Sequence, residues 1–178
     1  LKRPYRSTRQ IIEVVQSLDP DFQISGGEQA PEGEPVELIW AESVMEQARA
    51  VADDLLRLAQ AGRPWSDMAV LMTRKSMIRT VLRAMYEREV PFELISTKSA
   101  GDLDLSSDTV KIMTVHSAKG LEFSIVALIG LENLKDQRAS DADETEQKEL
   151  SRFARVGFVG PTRAADTLLL TYSKDNVF

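Results

Sequence analysis

The sequence predicts an α/β domain, with one mostly parallel sheet held between layers of helices. Three observations carry this expectation. Residues 68–72 and 125–130 are compact apolar runs without polar alternation, the pattern of strands buried on both faces. Elsewhere apolar residues recur every three or four positions, as on helices packed by one face. The two patterns alternate along the chain, which is the order that a parallel sheet with crossover helices requires.

The first element is a short helix. Ser7-Thr8-Arg9-Gln10 has the spacing of a capping box, and Ile11, Val14, Val15 and Leu18 then share one face before Asp19-Pro20. Residues 25–35 mix Gly, Pro and acids without period and read as a solvated loop. Residues 36–40 read as a strand. Ser43-x-x-Glu46 then opens a helix with Met45, Ala48, Ala52, Leu55 and Ala59 on one stripe, and Gly62 ends it. After the 68–72 strand, Ile78, Val81, Leu82 and Met85 mark another helix. Residues 91–96, 110–115, 125–130 and 167–172 supply the remaining strands. The acid-rich stretch at about 136–149 reads as a mobile loop without function, and residues 150–165 as helix. No internal repeat or heptad is present.

Composition bounds the function. A chain of 178 residues forms a single domain, 1–178, able to bury roughly 70% of its unfolded surface. Mean hydropathy is −0.22, and no apolar run approaches the ~20 residues that span a bilayer, so no membrane association is expected. Cys is absent and His occurs once, which excludes disulfides, thiolate metal sites and His clusters. A reducing, cytoplasmic setting fits. The net charge of −6 argues against coating nucleic acid by bulk electrostatics, so any such contact must be local. The opening Leu1-Lys2-Arg3-Pro4, without Met or a secretory signal, reads as part of a longer protein.

The richest stretch chemically runs from Lys111 to Phe123, where an apolar strand enters a small, polar, Gly-containing loop. Open α/β sheets bind ligands at such carboxyl ends. The loop is not a Walker A sequence, because Lys119 precedes its only Gly and Leu121 follows. Its groups still suit a polyanion: hydroxyls on Thr114 and Ser117, an N–H on His116, a charge on Lys119, and Gly120 for close backbone approach. On spacing alone, a plain exposed strand-to-loop connection remains open.

Met113-Thr-Val-His-Ser-Ala-Lys-Gly-Leu-Glu-Phe123 resembles motif V of UvrD/Rep-type superfamily 1 DNA helicases. In the family's order, Tyr5-Arg6-Ser7-Thr8 resembles motif IV and Phe158-Val-Gly-Pro-Thr-Arg-Ala164 resembles motif VI. The resemblance spans Tyr5 to Tyr172. It implies the second, C-terminal RecA-like motor domain, a three-layer fold of the P-loop NTPase kind. The short interval between the motif IV-like and motif V-like segments implies a compact form without the large inserted domain.

The resemblance also implies roles. Tyr5 would stack on adenine, and Arg6 would reach the terminal phosphate, for which a forked guanidinium is suited. Arg163 would be the arginine finger that stabilises charge in phosphoryl transfer. Gly120 and Glu122 would line the nucleotide, Glu122 at the ribose hydroxyl. Thr114, His116 and Lys119 would lie toward single-stranded DNA. Pro4, Phe158 and Pro161 depart from the family's usual residues, and Arg155 alone remains of its charged doublet, which puts fine positioning around Arg163 in doubt.

The implied activity is ATP-dependent helicase or translocase action on single-stranded and duplex DNA. ATP and Mg²⁺ would be the cofactors, with the Mg²⁺ ligands and the Walker A loop in an N-terminal RecA-like partner domain, without which this domain would be inactive. The alternatives are a noncatalytic motor-like module of a nuclease or RNA-polymerase-associated complex, and a free-standing nucleotide-binding protein.

Overall fold

A computed structural model describes residues 7–18, 30–95, 107–134 and 160–173. Six strands form one sheet: β1 (Glu37–Trp40), β2 (Met68–Met72), β3 (Phe92–Leu94), β4 (Val110–Thr114), β5 (Phe123–Ile129) and β6 (Ala164–Tyr172). Their order is β1-β6-β5-β2-β4-β3, and every neighbouring pair is parallel. The helices are α1 (Arg9–Leu18), α2 (Val44–Gln60) and α3 (Ile78–Glu87). The expected α/β class with a mostly parallel sheet is therefore observed.

The core lies on both faces of the sheet because alternate strand residues point opposite ways. Val70, Met72, Ile125, Ala127 and Ile129 face one side, under Val51, Ala52 and Leu55 of α2 and Val81 and Met85 of α3. Ala69, Leu71, Met113, Val126 and Leu128 face the other, under Ile11 and Val15 of α1 and Val115 and Ala118 of the loop after β4. Every residue of β2 is buried, as its unbroken apolar character predicts, and every residue of β4 is buried too, Lys111 and Thr114 included.

Local signals explain the ends of α2. Ser43 Oγ accepts from the Glu46 N–H at 3.3 Å, the expected N-cap. At the far end Gly62 adopts φ 93, the Gly62 N–H bonds Ala59 O, and the Arg63 N–H bonds Leu58 O. This pairing is a Schellman stop, which needs a residue at ease in the left-handed region.

Three expectations change. The capping box at Ser7 does not form: Ser7 Oγ donates instead to Ala164 O at 2.8 Å, and Gln10 Oε1 accepts from Gly33 N. The tertiary partner outcompetes the local one because Ser7 is buried against the start of β6. Residues 161–165 are not α-helical; Pro161–Arg163 make one 3₁₀ turn and β6 starts at Ala164. Ala165 and Asp166 hid this start by breaking the apolar run. The strand read over residues 91–96 is the shorter Phe92–Leu94. The acidic stretch at 136–149 and residues 150–159 lie outside the described residues.

Candidate functional site

The segment between β4 and β5, residues 115–122, must return the chain from the carboxyl edge of the sheet to its amino edge, because both strands run parallel to β2 between them. Such crossovers usually need a dozen or more residues. Eight suffice here because the chain makes one tight helical turn and lies flat on the sheet, with Val115 and Ala118 fully buried.

That turn is built from its own residues. The Val115 N–H extends the ladder to Met72 O at 3.1 Å. The Ala118 N–H returns to Thr114 O at 3.2 Å, and the Leu121 N–H to Ala118 O at 3.0 Å. Thr114 Oγ1 lies 3.4 Å from the Ser117 N–H and 3.1 Å from Ser117 Oγ, so it acts as an N-cap. Gly120, at φ 86, turns the chain out of the helix with nothing near its missing Cβ. The polar residues selected for a ligand therefore include two, Thr114 and Ser117, that already serve the turn.

The crossover divides the candidate residues between two edges. Thr114 and His116 stand at the carboxyl edge, Thr114 buried and His116 exposed. Lys119 and Gly120, both exposed, follow one helical turn later. Glu122 has reached the amino edge: it immediately precedes Phe123, whose register partner is Ala164, which Arg163 immediately precedes. The Arg163 guanidinium donates from Nη1 to Leu121 O and from Nη2 to Thr162 Oγ1, each at 3.3 Å. Ser7 joins the same edge through its bond to Ala164 O. Segments from the start, middle and end of the chain thus meet around Arg163. The beginning of the motif V-like segment stands at the carboxyl edge and its end at the amino edge, because a short parallel crossover necessarily changes edge. Tyr5 and Arg6 lie outside the described residues.

A second polar cluster at the carboxyl edge drew no attention in the sequence. Gln47 of α2 is fully buried; its Oε1 accepts from the Gly130 N–H at 3.1 Å and the Thr171 hydroxyl at 2.6 Å. Its Nε2 donates to the buried Glu132 carboxylate at 3.3 Å, which also accepts from the Ser173 N–H at 3.2 Å. Thr73 Oγ1 and Asn133 Nδ2 both bond Gly130 O. Each group is satisfied from within the fold, so this cluster closes the ends of β5 and β6. Gln47 was missed because a polar residue inside a helical repeat looks like part of its solvated face.

Among the described residues, Lys111 is the one cation in the core. Its side chain is fully buried, and Nζ reaches Glu93 at 3.1 Å, Thr109 Oγ1 at 2.9 Å and Ser107 O at 3.0 Å. These acceptors hold the charge and leave none over for a ligand. Among the described residues no three His, Asp or Glu side chains converge as a metal site would, so the Mg²⁺ expected of the resemblance has no ligand set in them. No helix among them is long and apolar enough to cross a membrane.

Comparison with known proteins agrees with this architecture. The UvrD-like helicase C-terminal domain family matches residues 1–100 and 93–175. DNA helicase II of Escherichia coli K12 is 42% identical over 74 residues, 42% of this chain and 10% of that protein. ATP-dependent DNA helicase PcrA of Bacillus subtilis is 44% identical over 68 residues, 38% of this chain and 9% of that protein. The matched stretch is therefore about a tenth of each relative. The solved C-terminal domain of a possible DNA helicase from Lactobacillus plantarum WCFS1 superposes with TM-score 0.64 at 19% identity, covering 96% of this chain and 88% of that one. That likeness concerns the fold.

Proposed function

This chain belongs to the UvrD-like helicase C-terminal domain family, and from that membership we propose that it is the second motor half of an ATP-dependent DNA helicase. In this reading it closes on an N-terminal RecA-like domain that carries the Walker A loop and the Mg²⁺ ligands.

The observation that carries the reading is the convergence at the amino edge. Arg163 sits beside Glu122 and against Leu121 O, while Ser7, next to Arg6, is tied to Ala164 O. A guanidinium held this way offers forked donors to a terminal phosphate presented from a facing domain, and stabilises charge as the phosphoryl group departs. Glu122 is a carboxylate acceptor suited to a ribose hydroxyl, and Tyr5 supplies a ring for the base. Thr114, His116 and Lys119 are assigned to the single strand, with Thr114 acting through the turn it caps. Because the crossover is one buried helical turn, a displacement of its Arg163 end moves the His116 end with it. Cleft closure and strand movement would be coupled in this way. A helicase acting on DNA, in the way the names of the bacterial relatives describe, would work in the cytoplasm.

The test compares the chain alone with the chain covalently joined to its N-terminal motor domain. The chain alone should not hydrolyse ATP. In the joined protein Arg163→Ala should lower DNA-stimulated turnover by about 10³-fold or more, with single-strand affinity retained. Turnover by the lone chain, or an unchanged kcat in the variant, rejects the assignment. A noncatalytic module would show no turnover in the joined protein either.

A further inference from the structure

The start of α1 is held from outside the helix. Thr8 O accepts the first helical bond, from the Ile12 N–H at 3.1 Å, so Thr8 is the N-cap residue. Its buried hydroxyl has no hydrogen-bond partner among the described residues, so the usual side-chain cap, worth about 1 kcal/mol, is forgone. The segment before β1 does the holding instead. The Arg9 N–H donates to Pro31 O at 2.9 Å, and the Gly33 N–H donates to Gln10 Oε1 at 2.9 Å. Gln10 Nε2 donates to Glu32 at 3.0 Å, and Arg9 pairs with Glu32 at 2.8 Å. Gly33 lies flat on Thr8, where a Cβ would fall within 3.0 Å of the threonine side chain.

With α1 secured in this way, Ser7 is free to make a different bond. It is buried, and its Oγ donates to Ala164 O at 2.8 Å, a partner 157 positions away. Ala164 opens β6 at an irregularity of the ladder. Phe123 pairs with Ala164 and Ile125 with Thr167, so β6 uses one residue more than β5 over this step. A bulge of this kind turns the chain locally and re-aims the side chains beside it. Immediately before it the chain makes the Pro161–Arg163 turn, closed by the Arg163 N–H on Gly160 O at 3.1 Å. The Arg163 guanidinium meets Leu121 O and Thr162 Oγ1 at 3.3 Å each, at the long end of hydrogen bonding. Where the backbone of the turn is held therefore decides much of where the guanidinium points.

We infer that Ser7 is a positioning residue for phosphoryl transfer, whose hydrogen bond to Ala164 O sets the backbone that carries Arg163 against the backbone that carries Arg6. Ser7 follows Arg6 in the chain and Ala164 follows Arg163, so one bond ties the two segments that bear the candidate arginines. Because residues 31–33 already hold α1, this bond is not needed to start the helix; what it adds is the link to β6. The inference rests on the reading of Arg163 as the arginine finger, and adds to it the residue that aims it.

The test is DNA-stimulated ATP turnover in the chain joined to its N-terminal motor domain. Ser7→Ala should lower kcat about 10-fold, the scale of a sub-ångström misplacement, with KM for ATP changed less than about 3-fold. Ser7→Thr keeps the hydroxyl and should recover most of the loss. Ser7→Ala added to Arg163→Ala should turn over no more slowly than Arg163→Ala alone, because a residue that acts through Arg163 has nothing left to aim. A purely structural serine would lower the melting temperature and leave kcat of the folded protein unchanged. That result, a Ser7→Thr variant as slow as Ser7→Ala, or losses that multiply in the double variant overturns the inference. Should Ser7→Ala not fold, Gln10→Ala loosens the same start of α1 from a half-buried position; its kcat should fall about 3-fold, and not at all in the Arg163→Ala background. No loss, or an equal loss in both backgrounds, overturns the inference there too. An unchanged kcat in Arg163→Ala alone rejects the motor assignment and the Ser7 role together, whereas a slow Arg163→Ala beside an unaffected Ser7→Ala rejects only the latter.

Discussion

The two halves of the sheet's carboxyl edge use polar residues in opposite ways. At β5 and β6, Gln47, Glu132 and Thr171 are buried and bonded to one another and to the Gly130 and Ser173 amides. At β2 and β4, Arg74, Lys75, Arg79, His116 and Lys119 are exposed, and none makes an ion pair or side-chain hydrogen bond among the described residues. The first half is closed by α2, whose opening turn carries Gln47 down onto the strand ends. The second half is open because its two connections leave to opposite faces. A polar residue at the ligand-binding edge of such a sheet is therefore a binding candidate only where no helix caps the strands beneath it.

The sharpest way to break this comparison is Gln47→Leu. It keeps the volume but leaves the Glu132 carboxylate without its amide partner, and the Gly130 N–H and Thr171 hydroxyl without their shared acceptor. A loss of about 3 kcal/mol is expected from stranding buried polar groups and a buried charge. Urea unfolding measures it, and a loss under about 1 kcal/mol would mean that the closed half is not closed by this network.

Gly120→Ala should cost about 1 kcal/mol. A Cβ there meets nothing within 4 Å, so the cost is the left-handed backbone alone. Gly120→Asn should recover part of it, since Asn tolerates that region. Equal losses for both would mean that the turn is ended by something other than backbone conformation.

The paired charges on the outer face of the helices provide an intermediate case. Glu87 accepts from Arg49 and from Arg83, which in that order hold its carboxyl below the usual carboxylate range. A folded pKa below the unfolded one contributes stability that is present at neutral pH and lost as pH falls through and below that range. Glu87→Gln should therefore flatten a small part of the acid-side decline and leave the neutral side nearly parallel to wild type. Exposure keeps the effect small, and an unaltered acid limb in urea titrations at pH 3 to 6 would show that the pairing contributes nothing.

The smallest effect is expected in the open half. R74A/K75A should change stability by no more than about 0.5 kcal/mol, because neither side chain holds anything in the fold. A loss above about 1 kcal/mol would make these cations structural and erase the contrast with Gln47.

Much of the fold was legible from residue pattern. β2 was read to its exact bounds and β4 to within one residue, and the Ser43 cap and Gly62 stop mark the ends of α2. These signals are local: burial on both faces appears as an unbroken apolar run, and a cap needs only neighbours three residues away. β6 was read three residues late because Ala165 and Asp166 interrupt its apolar run at the sheet's margin. Ser7 was read as a cap because its true partner is Ala164, 157 positions away.

By itself the sequence determined the alternating α/β class, the family through its motif V-like segment, and the choice of His116, Lys119, Glu122 and Arg163 as candidates. Only the tertiary structure decided where these residues stand. Strand order β1-β6-β5-β2-β4-β3 makes residues 115–122 a crossover that spans the sheet, so His116 and Glu122, six positions apart, lie at opposite edges. The same order brings Ser7, Leu121 and Arg163 together. A residue's chemistry is carried by its own side chain, whereas its neighbours depend on strand order and register, which no local pattern encodes.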